Sequence, residues 1–387
     1  MAGTKGAEGV ALRSATAERG AWARDDDGPA ARNGGTRAGA WFAALLLLGV
    51  SVVLGCRVAD TDAVTPVPQL LAFLPWLLAP TGVALLFAVL SRWRTGLVWG
   101  VAALGVTAWY IEPYGKTMEP GGVPVAEVRV LTSNVEFGQA TDGLIEAVAK
   151  QRPDFVFVQE CERSCEEKLE RAFGGSGKGG QDRKGEGNGE SGADGGSRRD
   201  DGADGADGPD GAEDAVYPYR QAVEGTGADG SVILSRHPLT AAKGIPATLG
   251  MPGATADVDG HEIRLQLAHP MPPLPAHLGT WREELSALRD YAAANAGRST
   301  VVAGDFNASQ DHAAFRRILD TGLMDGARLT GDTRTPTWPA LTTPAFGAQI
   351  DHVLVSRGFT ATRTRFLDLG ETDHRALVVD LTLSKSP

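Results

Sequence analysis

With 387 residues, 42% of them hydrophobic, the chain has room for one large domain with a proper core plus further segments, which excludes a wholly disordered polypeptide. The formal net charge is −11 and no basic stripe with interleaved aromatics occurs, which counts against tight electrostatic binding of duplex nucleic acid.

Taken in chain order, residues 1–37 are rich in Gly, Ala, Asp and Arg and read as a disordered cytoplasmic tail. Residues 38–112 hold three uncharged runs. AWFAALLLLGVSVVLGC lies between Arg37 and Arg57, LLAFLPWLLAPTGVALLFAVL between Asp62 and Arg92, and TGLVWGVAALGVTAWYI between Arg94 and Glu112. A helix needs about 20 apolar residues to cross a bilayer, so three transmembrane helices are predicted, with Trp41, Trp93, Trp109 and Tyr110 near their ends. Arg32 and Arg37 precede the first run and Arg92 and Arg94 follow the second, whereas Arg57 is offset by Asp60 and Asp62. Positive residues stay inside, which predicts a cell-membrane protein with an extracytoplasmic soluble part. Val53-Leu54-Gly55-Cys56 is similar to a bacterial lipoprotein cleavage box, but two further apolar runs favour an ordinary cysteine in a membrane helix.

From residue 125 onward, β-rich runs alternate with amphipathic helices, an α/β pattern. EVRVLTSNV, DFVFVQE, DGSVILS, HEIRLQLAH, STVVAGDFN, QIDHVLVS, TRFLDL and HRALVVDLTL read as strands; TDGLIEAVAKQ, WREELSALRDYAAANAG and AAFRRILD read as helices. Residues 174–214 interrupt the pattern with a Gly/Asp-rich insertion that has no apolar periodicity and is expected to be a disordered loop; it supplies about half the net charge. Cys161 and Cys165, four apart, are either a local disulfide or two free thiols.

Polar residues gather at the strand ends. Asn134, Glu160, His269 and Asp305 close strands, Asn307 follows two residues later, Asp351 opens one, and Asp373-His374 precede the last. In VVAGDFN, residues i and i+2 of a strand share a side, so Asp305 and Asn307 are expected to face one small volume; a strand followed by an Asx turn fits the same letters. Hard oxygen ligands suit Mg²⁺ or Mn²⁺, and histidine beside aspartate suits activation of water.

The ordered series SNVEF, QE, GSVILSR, AHP, GDFN, TW, QIDHVLVS and TDHRALV, spread through residues 128 to 383, resembles the endonuclease/exonuclease/phosphatase superfamily. That group contains deoxyribonuclease-I-like nucleases, abasic-site endonucleases, inositol-polyphosphate phosphatases and neutral sphingomyelinases. The resemblance implies a four-layered α/β sandwich over residues 125–387, two packed sheets with helices outside. It further implies Glu160 as metal ligand with Asn134 beside it, and Asp305 and Asn307 lining the place where water meets phosphate. His374 would be the general base, oriented by Asp351 and assisted by Asp373, with His269 contacting phosphate. The acidic residue some members carry after the asparagine could only be Glu136, whose role stays open. The expected function is Mg²⁺- or Mn²⁺-dependent hydrolysis of a phosphate ester, with a lean to a lipid or small envelope phosphodiester. An extracytoplasmic nuclease and a catalytically silent membrane-tethered binding module are the alternatives, and no protein partner is inferred.

Overall fold

The structure, a computed structural model, describes residues 28–112, 122–174, 217–342 and 345–385. The expectation of a disordered insertion, and most of the expected tail, fall outside the described residues.

The chain opens with helices α1 (Gly28–Val58), α2 (Val67–Ala72), a 3-10 turn (Leu74–Leu77), α3 (Leu78–Leu90) and α4 (Arg94–Ile111). The first turns of α1 thus lie in the stretch read from the sequence as a tail. Among the described residues, one helix, Gly35–Val58 within α1, is long and apolar enough to be a membrane anchor or signal sequence, not the three expected. Prolines break the second apolar run into α2, the 3-10 turn and α3, leaving only a shorter apolar piece, Leu74–Leu90. The helix of the third run, α4, begins on a charge, Arg94, and dilutes its aliphatic residues with glycine, threonine and tryptophan. The helices α1, α3 and α4 pack on one another through Ala43, Leu47, Val50, Leu54, Ala84, Ala88 and Ala103. Their outward faces carry Trp41, Leu45, Leu48, Leu86, Val98 and Val101, all exposed.

The remainder runs β1 (Val123–Asn134), α5 (Thr141–Gln151), β2 (Phe155–Gln159), α6 (Arg163–Phe173), β3 (Tyr219–Val223), β4 (Ser231–Ser235), β5 (Leu239–Ala242), β6 (Gly253–Val258) and β7 (His261–Ala268). It continues with α7 (Leu278–Ala294), β8 (Thr300–Asp305), α8 (Ala313–Leu319), β9 (Met324–Asp325), α9 (Gly326–Thr330), β10 (Asp351–Val355), β11 (Phe359–Asp368) and β12 (Arg375–Lys385). One sheet has the order β11-β12-β1-β2-β4-β3, the other β5-β6-β7-β8-β10-β9.

Period-two alternation builds the layers. Val128, Val130, Phe155, Phe157 and Ile233 of the first sheet meet Ile263, Leu265, Val301, Ala303 and Val353 of the second in a shared core. The alternate residues face outward under helices. Leu131, Val156 and Val158 pack with Leu144 of α5 and Leu169 of α6, while Val302 and Leu354 pack with Trp281, Leu285, Phe315 and Ile318 of α7 and α8. The result is the expected arrangement of two packed mixed sheets flanked by helices.

The strand directions gather the site. β1 and β2 end in register at Asn134 and Gln159, Ala268 of β7 pairs with Gly304 of β8, and Asp305 pairs with Asp351 at the start of β10. Gly304 makes this convergence possible. Its φ is +154°, and a Cβ there would sit 1.9 Å from the Ala268 carbonyl oxygen, which is backbone and cannot step aside. Gly304→Ala is therefore expected to destabilise the fold by roughly 1–3 kcal/mol or more. A thermal melt equal to that of the parent chain would contradict this account of the strand end.

Candidate active site

The strand ends bring Asn134, Glu160, His269, Asp305, Asn307, Asp351, Asp373 and His374 to one pole of the sandwich. The His374 Nδ1 lies 3.0 Å from Asp351 Oδ2. Its Nε2 points the other way, 3.8 Å from Asp305 Oδ2 and 3.7 Å from Asp373 Oδ1. Those separations suit a third atom between the groups rather than a direct bond. Thr372 fixes the turn: its hydroxyl donates to the Asn134 carbonyl and accepts from the His374 N–H.

Asn134 links the two halves. Its Nδ2 donates to Glu160 Oε1 at 3.0 Å and approaches Asp305 Oδ2 at 3.3 Å, while its Oδ1 accepts from the Glu136 N–H. Glu160 Oε2 accepts from the Phe137 N–H, and Oε1 lies 3.8 Å from His269 Nε2. Glu160 has φ +57°, a left-handed conformation that costs energy for a residue with a Cβ and turns its carboxylate back over the strand ends.

Asp305 and Asn307 are brought together by an Asx turn, the second of the two readings these letters allowed, and not by a shared strand face. β8 ends at Asp305; Asn307 has φ +47°, and its N–H donates to Asp305 Oδ1 at 2.7 Å, an Asx turn. The Asn307 side chain instead donates to the Pro270 carbonyl, just beyond His269.

Several residues that the sequence reading left unassigned complete the frame. Trp338 Nε1 donates to Asp373 Oδ2 at 2.7 Å, and Glu136 Oε2 accepts from the Asp373 N–H. The Thr337 hydroxyl accepts from the N–H groups of Ile350 and Asp351, and Trp281 Nε1 donates to the Asn307 carbonyl. The TW pair was visible as a motif, but which atoms it holds is a property of the folded chain.

Electrostatics follow from burial and neighbours. Burial disfavours the charged form of His374, yet Asp351 and Asp305 more than offset it and hold its pKa above the usual histidine range. Burial pushes the Asp305 carboxyl up; the opposing pull of His374 does not cancel that. His269 is driven down to about 3 by burial, helped by the charge on His374, and is neutral at pH 7. Among the described residues, Asp351 Oδ1 and His269 Nδ1 are buried without a hydrogen-bond partner. One ligand atom each from Asp305, Asp351 and His374 lies within 4.8 Å of the others. An excess of carboxylates with an unpartnered oxygen is a donor set that fits a hard divalent cation.

A model of the endonuclease/exonuclease/phosphatase family matches residues 131–374, from β1 to His374 itself. The chain belongs to this family. Similar solved structures include D. rerio TDP2 humanized by 14 mutations (13% identity, TM-score 0.47, covering 66% of this chain and 98% of that one). Others are D. rerio TDP2 complexed with single strand DNA product (13%, 0.47, 66% and 99%) and an endonuclease/exonuclease/phosphatase from Beutenbergia cavernae (17%, 0.46, 67% and 72%). No curated protein matches the chain. Family membership accounts for the phosphate-ester-hydrolase character of the site, and within the matched segment lie all eight residues singled out from the sequence.

Proposed function

We propose that the protein is a membrane-anchored, divalent-metal-dependent phosphoesterase that cleaves its substrate by in-line attack of water. The observation that carries this reading is the His374–Asp351 pair at 3.0 Å with Nε2 directed toward Asp305 and Asp373. In that reading Asp351 holds the imidazole in one orientation, the neutral form of His374 takes the proton from the attacking water at Nε2, so that turnover rises with pH toward the raised His374 pKa, and Asp305 with the Asn307 turn positions that water against the phosphorus. Asp373, held by Trp338 and the Glu136 carboxylate, assists His374; neutral His269 donates to a phosphate oxygen. Glu160, steered by Asn134, holds the cation, Mg²⁺ or Mn²⁺, which when bound polarises a phosphoryl oxygen and offsets leaving-group charge.

Placement outside the cytoplasm is supported by α1, whose length and apolarity suit an anchor, and by the disulfide between Cys161 and Cys165 beside Glu160, a bond that persists in oxidising compartments. A lean away from nucleic acid is supported by charge. Arg298, Arg357 and Lys385 carry no ion pair among the described residues, yet they line a groove of about 820 Å³ at the far ends of β8, β10 and β12, opposite the strand ends that carry His374. The full-length protein should be assayed with Mg²⁺ against DNA, RNA, phospholipids and phosphomonoesters at two ionic strengths. We expect hydrolysis of a phosphate ester, with DNA cleavage weak and falling steeply with salt. Efficient, salt-tolerant DNA cleavage would make the protein a nuclease, and silence on every substrate would make it a binding module.

A further inference from the structure

The segment between α1 and α3, residues 59–77, is bound tightly to the catalytic domain beside the active site. Asp62 accepts from the N–H groups of Ala313 and Ala314 at 2.6 and 2.9 Å, capping α8. Asp60 pairs with Arg316 and Arg317, Arg282 donates to the Ala63 carbonyl, and Gln69 donates to that of Pro273. His312 Nε2 lies 2.8 Å from the Pro68 carbonyl. Fully buried Asp311 is clasped by Arg57 at the end of α1 and by Arg334, which also donates to the carbonyls of Tyr110 and Ile111 at the end of α4. Buried charges paired across a junction fix the two parts relative to each other, because separating them would strand those charges.

This strap stands one side chain from the site on one side and two side chains from it on the other. Phe73 packs on Trp338, 6.2 Å between ring centroids, and Trp338 holds Asp373. His312 packs against Trp281 at 5.2 Å, and Trp281 holds Asn307. Around the same mouth, large apolar side chains are left open. Leu341 is 80% exposed and Leu274 51% exposed; Phe346, also exposed, stacks on Phe73 and meets Trp76 edge-on. Trp109, at the domain end of α4, is exposed as well, as befits an interfacial aromatic.

We infer that the active-site mouth is clamped against the bilayer that holds α1, and that the substrate is the phosphodiester headgroup of a lipid in that same bilayer. The inference rests on the phosphoesterase reading above and names its substrate class. Exposed apolar residues at a rim continuous with an apolar helix bundle have one partner that matches both, a lipid surface. A headgroup diffusing in the plane then reaches His374 without leaving the membrane, past Leu341 and Leu274.

The test uses the full-length chain carrying Cys56→Ser, in nanodiscs. A fluorophore placed through Leu341→Cys should lose much of its emission when brominated lipids replace ordinary ones, whereas one placed through Arg298→Cys, at the opposite pole, should not. In vesicles with Mg²⁺, phosphatidylglycerol in the protein's own bilayer should be hydrolysed roughly 100-fold faster than the same lipid in separate vesicles, the order of gain that tethering supplies. An unquenched label at Leu341 overturns the inference whatever the activity. So does hydrolysis of soluble bis(p-nitrophenyl) phosphate or DNA with the surrounding lipid untouched. Loss of every hydrolysis, soluble ester included, overturns the phosphoesterase reading itself, and the lipid assignment with it.

Discussion

His374→Ala is expected to lower turnover by about 10²- to 10⁴-fold on any ester the protein accepts, the usual contribution of a positioned base. The side chain sits in the turn just before β12, outside the sheet-to-sheet core, so folding should survive the truncation. Asp351→Asn separates orientation from mere proximity. The amide keeps the shape of the carboxylate and one acceptor oxygen but loses the charge that helps hold the His374 pKa up and puts an NH2 donor in place of the second oxygen. A loss of similar order in kcat with little change in KM is expected, because the effect belongs to the transition state and not to ground-state binding. Turnover within a few-fold of the parent chain in either variant, with a normal thermal melt, would remove this pair from the mechanism.

The second large effect concerns Glu160. Chelation with EDTA should abolish hydrolysis, and added Mg²⁺ or Mn²⁺ should restore it. Glu160→Gln should shift the metal concentration needed for restoration upward by at least about tenfold, because a carboxylate is a far better ligand for a hard cation than an amide. Titration of Mn²⁺ by its paramagnetic resonance signal gives the same comparison without activity. Unchanged Mn²⁺ binding in Glu160→Gln would move the cation elsewhere, and the first place to look is the trio Asp305, Asp351 and His374. Full hydrolysis in the presence of chelator would end the metal reading altogether.

Much of this was legible in the letters. Asn134, Glu160, His269, Asp305, Asp351 and His374 are polar residues flanking apolar, alternating runs; the parallel pairs β1/β2 and β7/β8 end at the pole where their antiparallel neighbours β12 and β10 begin, so strand ends and strand starts meet there. The missed strands were those with weak signals or, like the two-residue β9, with no room for a pattern. β3 (YRQAV) follows the Gly/Asp-rich insertion, and β5 (LTAA) and β6 (GATADV) are poor in large β-branched residues.

The sequence by itself determined the α/β class, the order of the strand-end residues and the presence of apolar segments near the amino terminus, because periodicity and composition are local properties. Only the tertiary structure decided the rest. It showed that the second apolar run is broken by its prolines and that Asn307 reaches the site through a left-handed Asx turn. It turned Asn134 Oδ1 toward the Glu136 N–H and Nδ2 between Glu160 and Asp305, and it closed Cys161 on Cys165. It also brought residues 59–77 against His312, Ala313 and Trp338, more than two hundred positions away, as in the 244-residue separation of Pro68 and His312. Pairing over that distance depends on which buried charge finds which partner once two separately built surfaces meet, and no local pattern encodes that choice.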